Sequence, residues 1–171
     1  MPPLEHLWAP WRMAYIESGA ETSAECIFCA FPARGPEHHR EHLILAVSPS
    51  GFVIMNRFPY NNGHVMVVPR RHAGDPGDLP ADEYAACGEL VRRSTGILRS
   101  VVHAHGFNVG MNLGRIAGAG IEHHCHWHIV PRWNGDTNFM PVVGAVKVMS
   151  EHLVATYDRL APAFAALAEG G

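Results

Sequence analysis

Three histidines stand at alternate positions in His124-Cys125-His126-Trp127-His128-Ile129-Val130-Pro131. Imidazole serves at neutral pH as nucleophile, acid, base or metal ligand. Read as a β-strand, the run puts the three rings on one face, neighbours about 6.6 Å apart, and turns Cys125, Trp127 and Ile129 the other way. Such a sheet gives up packing for chemistry. Two chemistries fit. Imidazoles at i and i+2 of a strand reach one ion and a third completes an open zinc site, which would make this a metal-dependent hydrolase with His124, His126 and His128 as ligands. The segment just ahead is glycine-rich, however, and Gly114, Gly118 and Gly120 free backbone N–H groups to approach an anion. A phosphoryl substrate suits that loop better than a metal-bound water. One neutral imidazole would attack phosphorus, a neighbour would bond the phosphoryl oxygens, and donors such as the amides of Gly118, Ala119 and Gly120 would neutralise charge.

A second group with chemical potential is Cys26-Ile27-Phe28-Cys29, whose spacing suits a metal. The competing reading is a redox pair. The cysteines fall in a stretch, Glu21 to Arg40, that reads as irregular because of the breakers Pro32 and Pro36, without the preceding strand and helix that a redox motif needs.

The elements that must position these residues follow from periodicity. His42 to Val47, Phe52 to Arg57 and His64 to Val68 read as strands joined by short turns, hence an antiparallel meander. Pro80 with Asp82 and Glu83 opens a helix to about His103, with Tyr84, Cys87, Val91, Leu98 and Val102 at helical spacing and Cys87 in the core. Phe107, Val109 and Met111 alternate with Asn108, Gly110 and Asn112 in a fourth strand, and the histidine run is the fifth. Ser150 is the expected cap of a last helix, about 150–168, that Pro162 should end or kink. Leu7, Trp8, Trp11 and Tyr15 suggest an N-terminal arm over residues 1–20. The fold class is α+β, a five-stranded antiparallel sheet with a crossing helix, an N-terminal arm and a C-terminal helix.

The chain of 171 residues, 47% hydrophobic, is expected to form a single domain over 1–171 with its core at about 26–140. No leader and no run near the ~20 residues of a membrane span is evident, so a cytoplasmic protein without membrane attachment is expected. A net charge of -3 offers no basic field, which argues against bulk nucleic-acid binding.

His124-x-His126-x-His128 followed by Pro131-Arg132 resembles the histidine triad family of nucleotidyl hydrolases and transferases. Asn56, Gly63-His64 and the order of elements resemble it too. The flanks Leu7-Trp8-Ala9-Pro10-Trp11-Arg12, His105 to Asn112 and Pro131-Arg132-Trp133-Asn134-Gly135-Asp136 are similar to the bacterial branch related to diadenosine tetraphosphate phosphorylases. The resemblance implies that His126 is the nucleophile, helped by His128 and His64, through a nucleotidyl-histidine intermediate. It implies that Asn56 takes ribose hydroxyls, a role to be weighed against a strand-end turn former, and that Asn112 contacts phosphate. Ile54 and Met66 fit either a base pocket or ordinary core. It also implies a structural zinc held by Cys26, Cys29, His72 and His124, and a homodimer.

Two departures stand out. Gly120 takes the place of a usual glutamine or serine, which leaves the acceptor open between water and inorganic phosphate. Cys125 replaces an aliphatic residue but faces away from the site. The expectation is an enzyme cleaving an adenine nucleotide or dinucleoside polyphosphate, with a non-catalytic nucleotide- or zinc-binding interaction protein as the alternative from another class.

Overall fold

The computed structural model describes residues 25–137 and 148–167, so the expected N-terminal arm and the last residue of the expected C-terminal helix lie outside the described residues. Five strands, β1 (Ile44–Val47), β2 (Gly51–Met55), β3 (Val65–Pro69), β4 (Gly106–Met111) and β5 (Trp127–Arg132), form one antiparallel sheet in the order β1-β2-β3-β5-β4. Short turns make β1 to β3 a meander, and the long connection from β3 to β4 carries the crossing helix.

Residues 25–40, the described part of the stretch expected to be irregular, depart from that expectation. They hold α1 (Ile27–Ala33), a 3-10 turn (Pro36–His38) and the start of α2 (His39–His42). Helix α1 forms because the Cys26 carbonyl accepts the amides of both Cys29 and Ala30, closing a first turn ahead of Pro32. A seven-residue helix is shorter than the roughly 11–18 residues over which a helical period can be read from sequence.

Helix α3 (Ala81–Val101) runs close to the expected span, and α4 (Leu153–Ala165) lies with it on one face of the sheet. Side chains alternate across the pleat. Leu45, Val53, Met55, Val65, Val67, Trp127 and Ile129 pack under Cys87, Leu90, Leu98, Leu160 and Phe164 in the larger core. Phe52, Ile54, Met66 and Val68 point the other way, onto a smaller cluster completed by Ile44 and Phe28 of α1. Tyr84 does not join the core. It is 46% exposed and leans on Trp127 instead.

At α4 the expected Ser150 cap fails, and of the two outcomes expected at Pro162, an end or a kink, the end does not occur. The N-cap is His152 rather than Ser150, with the imidazole Nδ1 accepting the Val154 amide at 3.4 Å. Pro162 does not end the helix, which continues to Ala165. The proline removes one ladder donor near the C-terminus, where the packing of Leu160 and Phe164 outweighs the loss.

Candidate active site

Paired β5 begins only at Trp127, so His124 and His126 precede the strand and His128 alone lies within it. The alternation survives the missing ladder. Cys125, Trp127 and Ile129 enter the helix-covered core, while the rings of His124 and His126 meet Phe28 on the opposite face. What replaces the ladder is specific: the Cys125 amide donates to the Ala73 carbonyl at 2.7 Å, which lashes the triad segment to residues 72–74. The two segments approach closely at Gly74, where a Cβ would sit 3.2 Å from the Glu122 carbonyl oxygen.

Backbone partners assign a proton to each ring, because a carbonyl only accepts and an amide N–H only donates. His124 Nε2 donates to the Pro69 carbonyl at 2.9 Å, which leaves Nδ1 with a lone pair. His126 Nδ1 donates to the His124 carbonyl at 2.9 Å, which leaves the lone pair on Nε2. At His64, Nδ1 accepts the Tyr60 amide at 3.1 Å. Its Nε2 must then carry the hydrogen, which it donates to His128 Nδ1 at 3.0 Å. The hydrogen of neutral His128 is thereby placed on Nε2. Burial, opposed only by the bond to the His124 carbonyl, holds the pKa of His126 below the ordinary histidine value, so its ring is neutral at pH 7. The rings of His126 and His128 meet edge to face with centroids 4.8 Å apart.

The triad divides between two groups of side chains. His124 is drawn into a cluster with Cys26, Cys29 and His72 in which the four ligand atoms all lie within 4.8 Å of one another. His124 Nδ1 is 3.3 Å from Cys26 Sγ and 3.6 Å from Cys29 Sγ, and His72 Nδ1 is 3.3 Å from Cys29 Sγ. Tetrahedral zinc with the usual bond lengths places sulfur and nitrogen ligands about 3.6 Å apart, so these edges fit that ion. The Pro69 carbonyl supplies the outer hydrogen bond that orients a metal-bound imidazole. Burial, and then the neighbouring Cys26, push the Cys29 thiol up to about 11, so a cation is needed to hold it as thiolate at neutral pH. With His126 Nδ1 and His128 Nδ1 committed elsewhere, the three imidazoles do not converge on one ion.

Beside His128 an open groove of about 380 Å³ is lined by Tyr60, Asn108, Val109, Gly110, Met111, Asn112, His128 and Val130. Asn112 and His128 therefore line one groove. Asn56 follows β2, its amide donating to the His64 carbonyl at 3.0 Å and its Oδ1 accepting the Phe58 amide at 2.9 Å, so it is a turn former whatever else it does. Ile54 and Met66 are buried beneath the site, in the cluster that includes Phe28. The glycine loop is engaged with itself. The Gly118 amide donates to the Arg115 carbonyl at 2.9 Å and that of Ala119 to the Gly114 carbonyl at 3.2 Å, a closure that uses positive φ at Gly114 and Gly118. Two of the three amides expected to face an anion are thus turned inward.

Sequence reasoning missed several participants. Tyr60 stacks on His64 with centroids 4.9 Å apart and lines the groove. The Asp136 carboxylate accepts from Arg132 Nε at 2.6 Å, Arg132 Nη2 at 2.9 Å and Asn61 Nδ2 at 2.9 Å, while Arg132 Nη1 donates to groove-lining Asn108 at 2.9 Å. The Arg132 guanidinium holds the Asp136 carboxyl well below the usual carboxylate range. Asn61 also donates to the Pro131 carbonyl at 3.0 Å, so this network ties the loop before His64 to the end of β5. The i,i+4 spacing of Arg132 and Asp136 was the available signal, and it carries no direction in a loop.

The model of the HIT domain matches residues 39–135. The AP-4-A phosphorylase of Mycobacterium tuberculosis is 36% identical over 169 residues, 95% of this chain and 85% of that protein. Among solved structures, a Zn-bound histidine triad family protein from Mycobacterium smegmatis superposes with a TM-score of 0.65 at 26% identity, covering 85% of this chain and 96% of that one. A hypothetical histidine triad nucleotide-binding protein from Sulfolobus tokodaii gives 0.64 at 25% identity over 81% of this chain and 89% of its own. With its paired imidazoles, its sheet order and these matches, the chain belongs to the histidine triad family.

Proposed function

We propose that this chain cleaves diadenosine tetraphosphate by phosphorolysis, with His126 as the nucleophile. The observation that carries the reading is the proton assignment: a neutral His126 with its lone pair on Nε2, beside a His128 whose Nε2–H is a donor. In the first step His126 Nε2 attacks an α-phosphorus, the P–O bond of the anhydride breaks, and ATP leaves with the electron pair. The adenylyl group remains on His126. His128 and the groove asparagine Asn112 hold phosphoryl oxygens as charge spreads, while Asn56 takes ribose hydroxyls. In the second step an oxygen of inorganic phosphate attacks the same phosphorus and ADP is released.

The phosphorylase assignment is favoured by the name and 36% identity of the mycobacterial relative. The inward-turned amides of Gly118 and Ala119 shift the burden of holding phosphate onto Asn112, Gly120 and the imidazoles. Cys26, Cys29, His72 and His124 hold a structural zinc ion, which supplies charge for the thiolates and ties α1 to the sheet. No helix among the described residues is long and apolar enough to cross a membrane, in keeping with a cytoplasmic enzyme, and β4 leaves an open sheet edge on which a homodimer can form.

Product analysis with diadenosine tetraphosphate tests the reading. With inorganic phosphate present, ADP and ATP are expected in equal amounts. AMP and ATP at a rate indifferent to phosphate would replace phosphorolysis by hydrolysis, and no turnover at all would leave a nucleotide-binding protein.

A further inference from the structure

The geometry points to Phe28 as a positioning residue for the ring of His126, held against it by the metal ligands on either side of it in the chain. The inference rests on the reading of His126 as nucleophile. Phe28 is the one buried side chain of α1, at 3% exposure. Its ring meets His126 edge to face at 5.0 Å and His124 at 5.5 Å. The bond from His126 Nδ1 to the His124 carbonyl, with the covalent Cβ–Cγ attachment, sets the imidazole plane, and a single hydrogen bond still leaves it a librational range. Phe28 on one side and His128 on another remove that freedom, so Nε2 keeps a single direction.

What holds Phe28 there is not α1 by itself. The helix has seven residues and no side-chain cap at Cys26, and a helix that short is unstable alone. Its attachment consists of Phe28, of Phe31 stacked on His42 at 4.0 Å, and of the two cysteines, one at the cap and one a residue beyond Phe28, that belong to the cluster able to hold a metal. His124 closes the unit: its Nδ1 faces the cysteines, its ring meets Phe28, and its carbonyl accepts the hydrogen bond of His126 Nδ1. Loss of the metal therefore loosens the ties on both sides of Phe28, and with them the wall of the nucleophile.

The test is a two-by-two comparison of wild type and Phe28→Ala, each zinc-loaded and zinc-free, with kcat and KM measured for diadenosine tetraphosphate. Misplacement of a reacting atom by about 1 Å costs on the order of a hundredfold. Zinc-loaded Phe28→Ala should lose about tenfold to a hundredfold in kcat, with KM changed less than about threefold. Zinc removal should cost wild type a similar factor and the variant far less, because the wall is already gone. Independently of activity, the His126 ring carbon-bound protons should give one sharp set of NMR signals in zinc-loaded wild type and exchange-broadened signals in the variant and in the zinc-free protein, with the tautomer unchanged because the His124 carbonyl sets it. Should Phe28→Ala fail to fold or hold zinc, Phe28→Leu keeps most of the buried volume and should still show the broadening. Wild-type kcat with unchanged His126 signals in a zinc-loaded variant overturns the inference. Turnover surviving in His126→Ala would instead overturn the nucleophile assignment, and the NMR arm would still decide whether Phe28 orients the ring.

Discussion

On one face of the sheet, Val65, Val67, Trp127 and Ile129 lie under two helices and contribute volume. On the other, the same strands present Met66 and Val68 and carry His128, with His126 just ahead of it, each ring held by a hydrogen bond at Nδ1. The first face is interchangeable in kind, since apolar side chains of similar volume pack there with modest loss. The second is fixed group by group. Each imidazole has a nitrogen committed to the main chain or to another imidazole: the Pro69 carbonyl for His124, the His124 carbonyl for His126, the Tyr60 amide for His64, and His64 for His128. Proton placement is therefore a property of the backbone path, and a packing face and a chemical face ask for different kinds of precision.

His126→Ala should separate the faces most sharply. Turnover should fall by at least about a thousandfold while the unfolding midpoint in urea shifts little and nucleotide binding, measured calorimetrically, persists. A variant that keeps its rate would erase the distinction. Leu98→Ala is the mirror experiment on the other face. This fully buried side chain should cost about 2–5 kcal/mol in denaturant unfolding and leave kcat of the folded enzyme nearly intact.

Asp136→Asn probes the border between the faces, at about 1 kcal/mol. Because Arg132 holds this carboxyl below its unfolded value, its contribution is present above the ordinary carboxylate pKa of about 4 and is lost as pH falls towards the lower folded value. Wild type should thus lose its stability advantage over the variant in acid, and curves that stay parallel from pH 7 to pH 3 would remove Asp136 from the ledger. The smallest effect is on the packing face, where the Ser94 hydroxyl is buried with no hydrogen-bond partner among the described residues. Ser94→Ala should raise stability by about 0.5–1 kcal/mol, read as a higher melting temperature, since an unsatisfied buried hydroxyl is a cost removed with it.

The packing face was the more legible in sequence, because alternation and helical period report burial directly. That signal located five strands and α3, and placed Cys87 in the core. It erred where other forces dominate. His124 and His126 kept strand-like facing without strand pairing, since the Cys125–Ala73 bond rather than a ladder holds them. Helix α1 was hidden behind Pro32 and Pro36 because its stabilisation comes from the Cys26 carbonyl and from long-range partners, not from a local pattern. On the chemical face, resemblance brought the four clustered ligands and the triad together. It said nothing of Tyr60, Asn61, Arg132 or Asp136 as a support, because Asn61 reaches partners 70 and 75 positions away and the i,i+4 contacts of Tyr60 and Arg132 arise outside any helix. The inward closure of the glycine loop was equally invisible, since glycine content reports conformational freedom and not which way an amide turns.

Gly74 lies two residues after His72, and a Cβ there would sit 3.2 Å from the Glu122 carbonyl oxygen, two residues before His124. A single added methyl group must shift the two backbones by a few tenths of an ångström beside two of the four residues that could hold a metal. The enzyme's vulnerability to mutation therefore extends to a residue with no chemistry at all, and a screen for inactivating substitutions should recover Gly74→Ala alongside changes to the cysteines and histidines.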